Sequence, residues 1–521
     1  MVQQSVTAKP PKGHFYLAGR VFPRVKWWRK HNMRLLYFYI LILIATNTAN
    51  GFDNSMMNGL QTLSYWQDYF NHPQGPTLGL FNCVMSAGAL TGLVILPFML
   101  DHLGRKICLV FGSIFMLIGV ALQSGSINFS MFVGARYILG FGDIIVICTA
   151  PLLITEIAPA QDRAILVTIA GATYHSGAFI AAWTTYGTLK IKSEWSWRLP
   201  SLVQGIFTLT MLAVVWWIPE SPRYYVSKNN PDKALEILAH YHAEGDQTDE
   251  MVQLEFTEIT TAIALEKSGD QSSSFLDFLR TTGNRRRLLI IVTFGLFAQW
   301  SGNGLVSYYL NLVMDSIGIT DANEQLLING ALTSFNLATN LFFSFFVDKW
   351  GRRPIMLISS AGMLIAFVIW TILSARYDTH ASSSLGSGVL GMIFIYYLFY
   401  NLKSGLIASY TTEILPYSMR AKGYTIMEFA MYIALFFNQY VNPIALDNIH
   451  WRYYIFYCCF LVVEVVVIWF FYLETRYVPL EEVTKIFDGH DIANVTNMEM
   501  EKIECMGKNM TTATHLETTS A

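Results

Sequence analysis

The sequence predicts an all-helical membrane protein in which twelve transmembrane helices form two pseudo-symmetric six-helix bundles. Three observations predict it. Hydrophobic residues make up 53% of the 521 positions and charged residues only 14%, where a soluble chain carries roughly a quarter charged. Apolar runs of about 20 residues, the length that crosses a bilayer, recur in two sets of six. Short motifs of the first set return at matching places in the second. So few charges cannot coat several soluble domains, which excludes disorder over most of the chain and nucleic-acid binding. The net charge of −2 advertises neither an acidic nor a basic partner.

Residues 1–35 are polar and read as a cytoplasmic N-terminal segment rather than a cleavable signal peptide. The first bundle, 36–218, holds apolar runs near 36–60, 78–100, 107–125, 130–155, 164–188 and 200–218. A cytoplasmic linker, 219–287, follows. Its stretches "PDKALEILAHYH" and "QLEFTEITTAIALEK" place apolar residues every three or four positions and predict short amphipathic helices. The second bundle, 288–473, holds runs near 288–314, 326–347, 355–375, 387–412, 423–446 and 453–473. The tail, 474–521, is expected to be disordered from Asp488 on, being rich in Thr, Glu, Asn and Met. The six cysteines lack metal-ligand spacing, and adjacent Cys458 and Cys459 make poor disulfide partners, so buried thiols are expected.

Lysine and arginine collect on the cytoplasmic side of membrane proteins. With the N-terminus inside, 28 of the 35 fall in inner segments and five in outer ones, while Arg136 and Lys403 lie within spans. Both termini are therefore expected in the cytoplasm. Asn128-Phe-Ser is the one outward glycosylation sequon, close to the membrane.

The internal repeat is more informative than any single motif. "DHLGRK" at 101–106 is echoed by "DKWGRR" at 348–353, "EIAPAQDR" at 156–163 by "EILPYSMR" at 413–420, and "PESPRY" at 219–224 more loosely by "LETRYVPLEE" at 473–482. Twin bundles of this kind place a substrate site between halves that rock about it.

In order along the chain stand Gly51-Phe-Asp53, Asp101-x-x-Gly104-Arg105-Lys106, Arg136-x-x-x-Gly140-x-Gly142, Glu156-Ile-Ala-Pro159-x-x-x-Arg163, Trp197-Arg-Leu-Pro200, Pro219-Glu-Ser-Pro-Arg223, Gln299-Trp-Ser-Gly302 with Tyr308-Tyr309, Asp348-x-x-Gly351-Arg-Arg353, and Glu413. Over about Asn50 to Glu482 these elements resemble the sugar porter family of the major facilitator superfamily. Within it, "YHAEGD", "GNRRR", "QWSGNGLVSYYL" and "NQYVNPIALD" are similar to the fungal lactose permease and cellodextrin transporter group. The resemblance implies a major facilitator fold and uptake of a mono- or disaccharide such as a hexose, lactose or cellobiose, with a proton, across the plasma membrane. It implies no cofactor or metal; no nucleophile arrangement or nucleotide loop suggests an enzyme, and a monomer is expected.

Asp53 lies inside the first apolar run, where an ionised carboxylate needs a partner or water. Arg136 in the fourth run is the natural one, and the resemblance implies that protonating Asp53 frees Arg136 and licenses sugar binding. A static pair holding two helices is the structural alternative. Asp143, seven residues along the same helix, is a candidate to orient Arg136.

Sugar hydroxyls need amides and hydroxyls, and the ring face needs aromatics. The seventh run supplies Gln299, Trp300, Asn303, Tyr308 and Tyr309. By resemblance Gln299 falls on the second glutamine of a paired motif with Ala298 in place of the first, and Asn303 stands one residue ahead of the family's asparagine, where this chain has Gly304. Gln204, Asn336, Asn438 and Gln439 are further candidates, whose structural alternative is hydrogen bonding between helices. Gly171 replaces an amide of the relatives, with Tyr174 and His175 one turn on. Lys403 takes the place of a tryptophan that packs on sugar. It either pairs with Glu428 or Asp143 or makes a cationic cavity for an acid such as quinate or a uronate.

Asp101, Arg105, Glu156, Arg163 and Glu220 with Arg223 match Asp348, Arg352, Glu413 and Arg420 and read as paired cytoplasmic gates that bias a two-state equilibrium. Plain topological anchoring is the alternative. Rival functions are facilitated diffusion, transport of an acid or secondary metabolite, and sugar sensing without transport.

Overall fold

The computed structural model describes residues 13–17, 20–267, 275–344, 350–416, 419–476 and 487. Among the described residues, ten segments are long and apolar enough to cross a membrane, the last of them holding two helices. With a broken helix counted, the described residues make twelve crossings in two sets of six. The first set is His31–Leu60, Gly75–Leu103, Arg105–Ser124, Phe129–Ile157, Arg163–Thr188, and Trp195–Val203 continued by Gly205–Val214. The second is Thr282–Trp300 continued by Asn303–Asp315, Ala322–Ser344, Arg352–Thr379, Ser383–Ser404 continued by Leu406–Ile414, Arg420–Ile449 and Tyr453–Phe471. A helix satisfies its own backbone, which is why apolar runs cross as helices.

Periodicity alone reads each run as continuous; the seventh span is broken at Ser301–Gly302, where Gly302 takes φ +103, whereas the sixth and tenth only loosen at Gln204 and Gly405, which keep helical dihedrals. Large apolar side chains such as Phe98, Trp217, Ile365 and Phe470 face outward, 62–73% exposed, as lipid contact requires.

Within each half the spans approach closely at glycine. A Cβ on Gly140 would lie 2.0 Å from the Met85 carbonyl oxygen, and one on Gly51 would lie 1.9 Å from that of Tyr174. Such crossings need small residues, because helices in lipid associate by packing.

The linker folds into the expected short helices, Pro222–Ser227, Pro231–His242, Glu250–Lys267 and Asp277–Arg280. Ahead of the first span, β1 (His14–Leu17) and β2 (Arg20–Pro23) pair antiparallel. Arg20 bonds Glu250 of the linker at 2.7 Å, and Gln161 of the loop between spans four and five brackets the Val25 backbone at 2.8 and 2.9 Å. The polar N-terminal segment is thus partly folded onto the linker face. Residues 488–521 lie outside the described residues. Among the cysteines, Cys83 and Cys108 are buried as expected, whereas Cys459 is exposed on an outward helix face.

Candidate functional site: a polar interior between two bundles

The hydrogen bonds that join the halves gather at the end away from the linker. Asn58 donates to Asn329 at 3.1 Å and accepts from the Leu310 amide at 3.1 Å, and Gln61 donates to the Tyr308 carbonyl at 3.1 Å. Asn82 donates to the Tyr309 hydroxyl at 3.1 Å and Ser86 to Gln439 at 2.6 Å. Glycine again permits the approach, since a Cβ at Gly79 would meet the Tyr440 carbonyl oxygen at 2.7 Å. This end is shut.

Asp53 and Arg136 are each 1% exposed, and neither carboxylate oxygen of Asp53 has a hydrogen-bond partner. Among the described residues, Arg136 hydrogen-bonds only the Met85 sulfur, at 3.5 Å. The expected ion pair is not formed among the described residues. Asp143 does not orient Arg136 either: its Oδ2 accepts from Asn50 at 2.6 Å.

The eight predicted substrate residues divide. Gln204, Gln299 and Asn303 each keep a buried amide oxygen without a protein partner. The Asn303 amide nitrogen donates to Tyr400 at 3.0 Å. Asn336, half-buried, accepts from Asn401 at 2.9 Å. Tyr308 is buried, and its carbonyl takes part in the shut end. Asn438 is spent on structure, donating to the Gln299 carbonyl and accepting from Tyr457, both at 2.9 Å. That amide also explains Gly304: a Cβ there would lie 2.0 Å from the Asn438 nitrogen.

Two expectations are corrected. Trp300 donates to the Ala434 carbonyl at 3.0 Å and packs on Phe437 and Phe460, with Phe437 49% exposed on the outer surface. Its indole N–H and its ring are taken up by these residues of the eleventh and twelfth spans, so it is not placed to stack on a sugar. Lys403 pairs with neither Glu428 nor Asp143. Its ammonium lies 2.5 Å from Glu464, a fully buried acid in the twelfth span that the sequence reading passed over. A lone glutamate in "LVVEVVVIW" was the available signal. Gly171 has open space where a side chain would stand, with Tyr174 and His175 half-buried beyond it.

At the linker end the repeat is matched atom for atom. Arg105 pairs with Glu156 at 2.9 Å and Arg352 with Glu413 at 3.0 Å. Glu220 accepts from the amides of Arg105 and Lys106 at 3.1 and 3.0 Å, and Glu474 from those of Arg352 and Arg353 at 3.0 and 3.1 Å. Both carboxylates thereby cap a helix N-terminus, where negative charge is favoured. Burial raises the Glu220 pKa, and the three backbone amides and Arg105 oppose that without cancelling it. Gly104 and Gly351 precede the capped helices at φ +88 and +90, and a Cβ on either would meet the capping carboxylate at 2.7 or 2.8 Å. Lys106 and Arg353 each cap a tryptophan carbonyl, of Trp216 and Trp469, at 2.6 Å.

Glu474 was missed, although the loose echo of "PES" in "LET" points at it. Arg163 reaches the Ala158 carbonyl at 3.5 Å, Arg223 sits half-buried in its short linker helix, and Arg420 opens the eleventh span. Asp101 is exposed. Asp348 lies outside the described residues.

The family model described as "Sugar (and other) transporter" matches residues 39–487. The chain is similar to the MFS-type transporter criB of Aspergillus cristatus, 25% identical over 87% of this chain and 94% of that one. It is also similar to sugar transporter STL1 of Saccharomyces cerevisiae, 25% identical over 90% and 84%. Its fold matches the inward open conformation of the xylose transporter XylE from E. coli, with a TM-score of 0.71, 21% identity, and 87% and 99% of the two chains covered. With a family match over most of its length and the two-bundle fold in place, the chain belongs to the sugar (and other) transporter family of the major facilitator superfamily.

Proposed function

We propose that this protein carries a sugar, a mono- or disaccharide such as a hexose, lactose or cellobiose, into the cell by alternating access with a proton. The carrying observation is the set of buried amide oxygens without protein partners on Gln204, Gln299 and Asn303. Buried acceptors left open are costly. A ligand rich in hydroxyl donors satisfies them. The yeast relative's name, a sugar transporter, supports the same class.

Proton coupling rests on Asp53 and Arg136. Two opposite charges buried in adjacent spans without an ion pair suit a state in which Asp53 is protonated and Arg136 released. With the far end shut, this is the state from which sugar leaves toward the linker side. The mirrored Arg105–Glu156–Glu220 and Arg352–Glu413–Glu474 clusters act as the linker-side gates. The protein works as a monomer in the plasma membrane, with residues 1–35, the linker 219–287 and the tail 474–521 in the cytoplasm, and bundles at 36–218 and 288–473.

The acid-transporter reading leaned on an unpaired Lys403, and Glu464 neutralises that charge. Uptake of labelled glucose, lactose, cellobiose, galacturonate and quinate by cells otherwise unable to import them tests the proposal. Sugar accumulation that an uncoupler abolishes supports symport. Equilibration without accumulation means facilitation, preference for the acids overturns the sugar assignment, and binding without uptake means a sensor.

A further inference from the structure

The seventh span breaks in mid-membrane, where a free backbone group has no water to satisfy it. Its first helix ends at Trp300, Gly302 takes φ +103, and the second helix starts at Asn303. Three tyrosines of the tenth span bond carbonyls on both sides of the break. Tyr396 donates to Ser301 at 3.0 Å, Tyr397 to Asn303 at 3.3 Å, and Tyr400 to Ala298 at 3.1 Å.

The Ser301 side chain is held from another direction. Its hydroxyl accepts from the Lys403 ammonium at 2.9 Å and lies 2.8 Å from Glu464 Oε2, with the Phe297 carbonyl as a further acceptor. Glu464 Oε1 takes Lys403 at 2.5 Å and Ser360 at 2.7 Å. Ser301, Ser360, Lys403 and Glu464 are each at most 2% exposed. Spans seven, nine, ten and twelve therefore meet at one buried ion pair, and its hydrogen bonds end on the break.

We infer that Lys403 and Glu464 are positioning residues of the transport site: their ion pair grips Ser301 and so fixes where Gln299 and Asn303, two residues to either side, present their open oxygens. Packing alone could join four helices. An ion pair bonded to the one hydroxyl at the break adds direction, which apolar side chains cannot supply. The inference rests on the sugar reading only for the identity of the ligand.

The test uses the full chain with Lys403→Met and Glu464→Gln combined, because either change alone strands a buried charge and is expected to lower folded yield. Uptake kinetics and hydrogen–deuterium exchange of the detergent-purified protein are both measured. Expected are a rise of about tenfold in KM for the transported sugar at parental abundance and amide exchange over 301–305 faster by about tenfold. Parental KM with parental exchange at the break would falsify the inference, and unchanged exchange alone overturns it whatever uptake does. A parent that moves none of the tested sugars sinks the sugar reading while leaving the exchange comparison decisive.

Discussion

His242 and Glu255 lie 2.7 Å apart in the linker, 2% and 4% exposed, and the other ring nitrogen of His242 faces the Ile157 carbonyl at 3.1 Å. Both ring nitrogens face acceptors, so the doubly protonated imidazolium satisfies the geometry. The pair ties two linker helices to the end of the fourth span.

This clamp makes linker docking pH-dependent. Burial alone would lower the His242 pKa, but attraction and hydrogen bonding to Glu255, with the Ile157 carbonyl, leave it raised despite Arg163 nearby. Burial likewise raises Glu255, and His242 and Arg163 leave it lowered. A raised histidine stabilises fully below its free value of 6.5 and loses that contribution as pH climbs through the folded value. The lowered carboxylate contributes above its free value of 4.5 and loses that as pH falls. The thermal stability of the purified protein should therefore fall as pH rises from 6.5, and His242→Gln should flatten that slope. An equally steep slope in the variant would remove His242 from the effect.

Asp53→Asn should abolish uphill sugar accumulation while preserving downhill exchange, because an amide has no proton to load or release. Arg136→Lys is a poorer test, since it keeps the charge. The check is accumulation against exchange of labelled sugar in the same cells; equal accumulation by mutant and parent would take Asp53 out of the proton path.

Glu220→Gln and Glu474→Gln should behave alike. Each weakens charge-assisted bonds to two backbone amides at a helix start, worth about 1–3 kcal/mol in total. The expected result is altered maximal uptake rate with an unchanged order of preference among competing sugars. A changed preference after either substitution would contradict a gating role.

Gly140→Ala should sharply reduce folded yield, since the new methyl would stand 2.0 Å from the Met85 carbonyl oxygen, and overpacking of this kind costs about 1–3 kcal/mol. Gly171→Ala, with open space around it, should be neutral for yield. Fluorescence-detected size-exclusion profiles of tagged variants separate the two.

Much of this was legible in the chain itself. The twelve crossings, their grouping and the motif repeat follow from run length and from motif spacing, because lipid forces each apolar run into a self-satisfied helix regardless of its neighbours. Asp53, Arg136 and the amides could be singled out by depth alone, since polar groups are costly there. Partners were another matter. That Lys403 would choose Glu464 over Glu428, that Asp143 would take Asn50, that Trp300 would face outward and Asn438 would be spent on Tyr457 all depend on which helix faces meet. Those faces are set by side-chain packing between residues 19 to 134 positions apart, and helical periodicity carries no record of it. Sequence settled what must be buried in the bilayer; tertiary packing decided which buried groups partner one another and which keep an open oxygen.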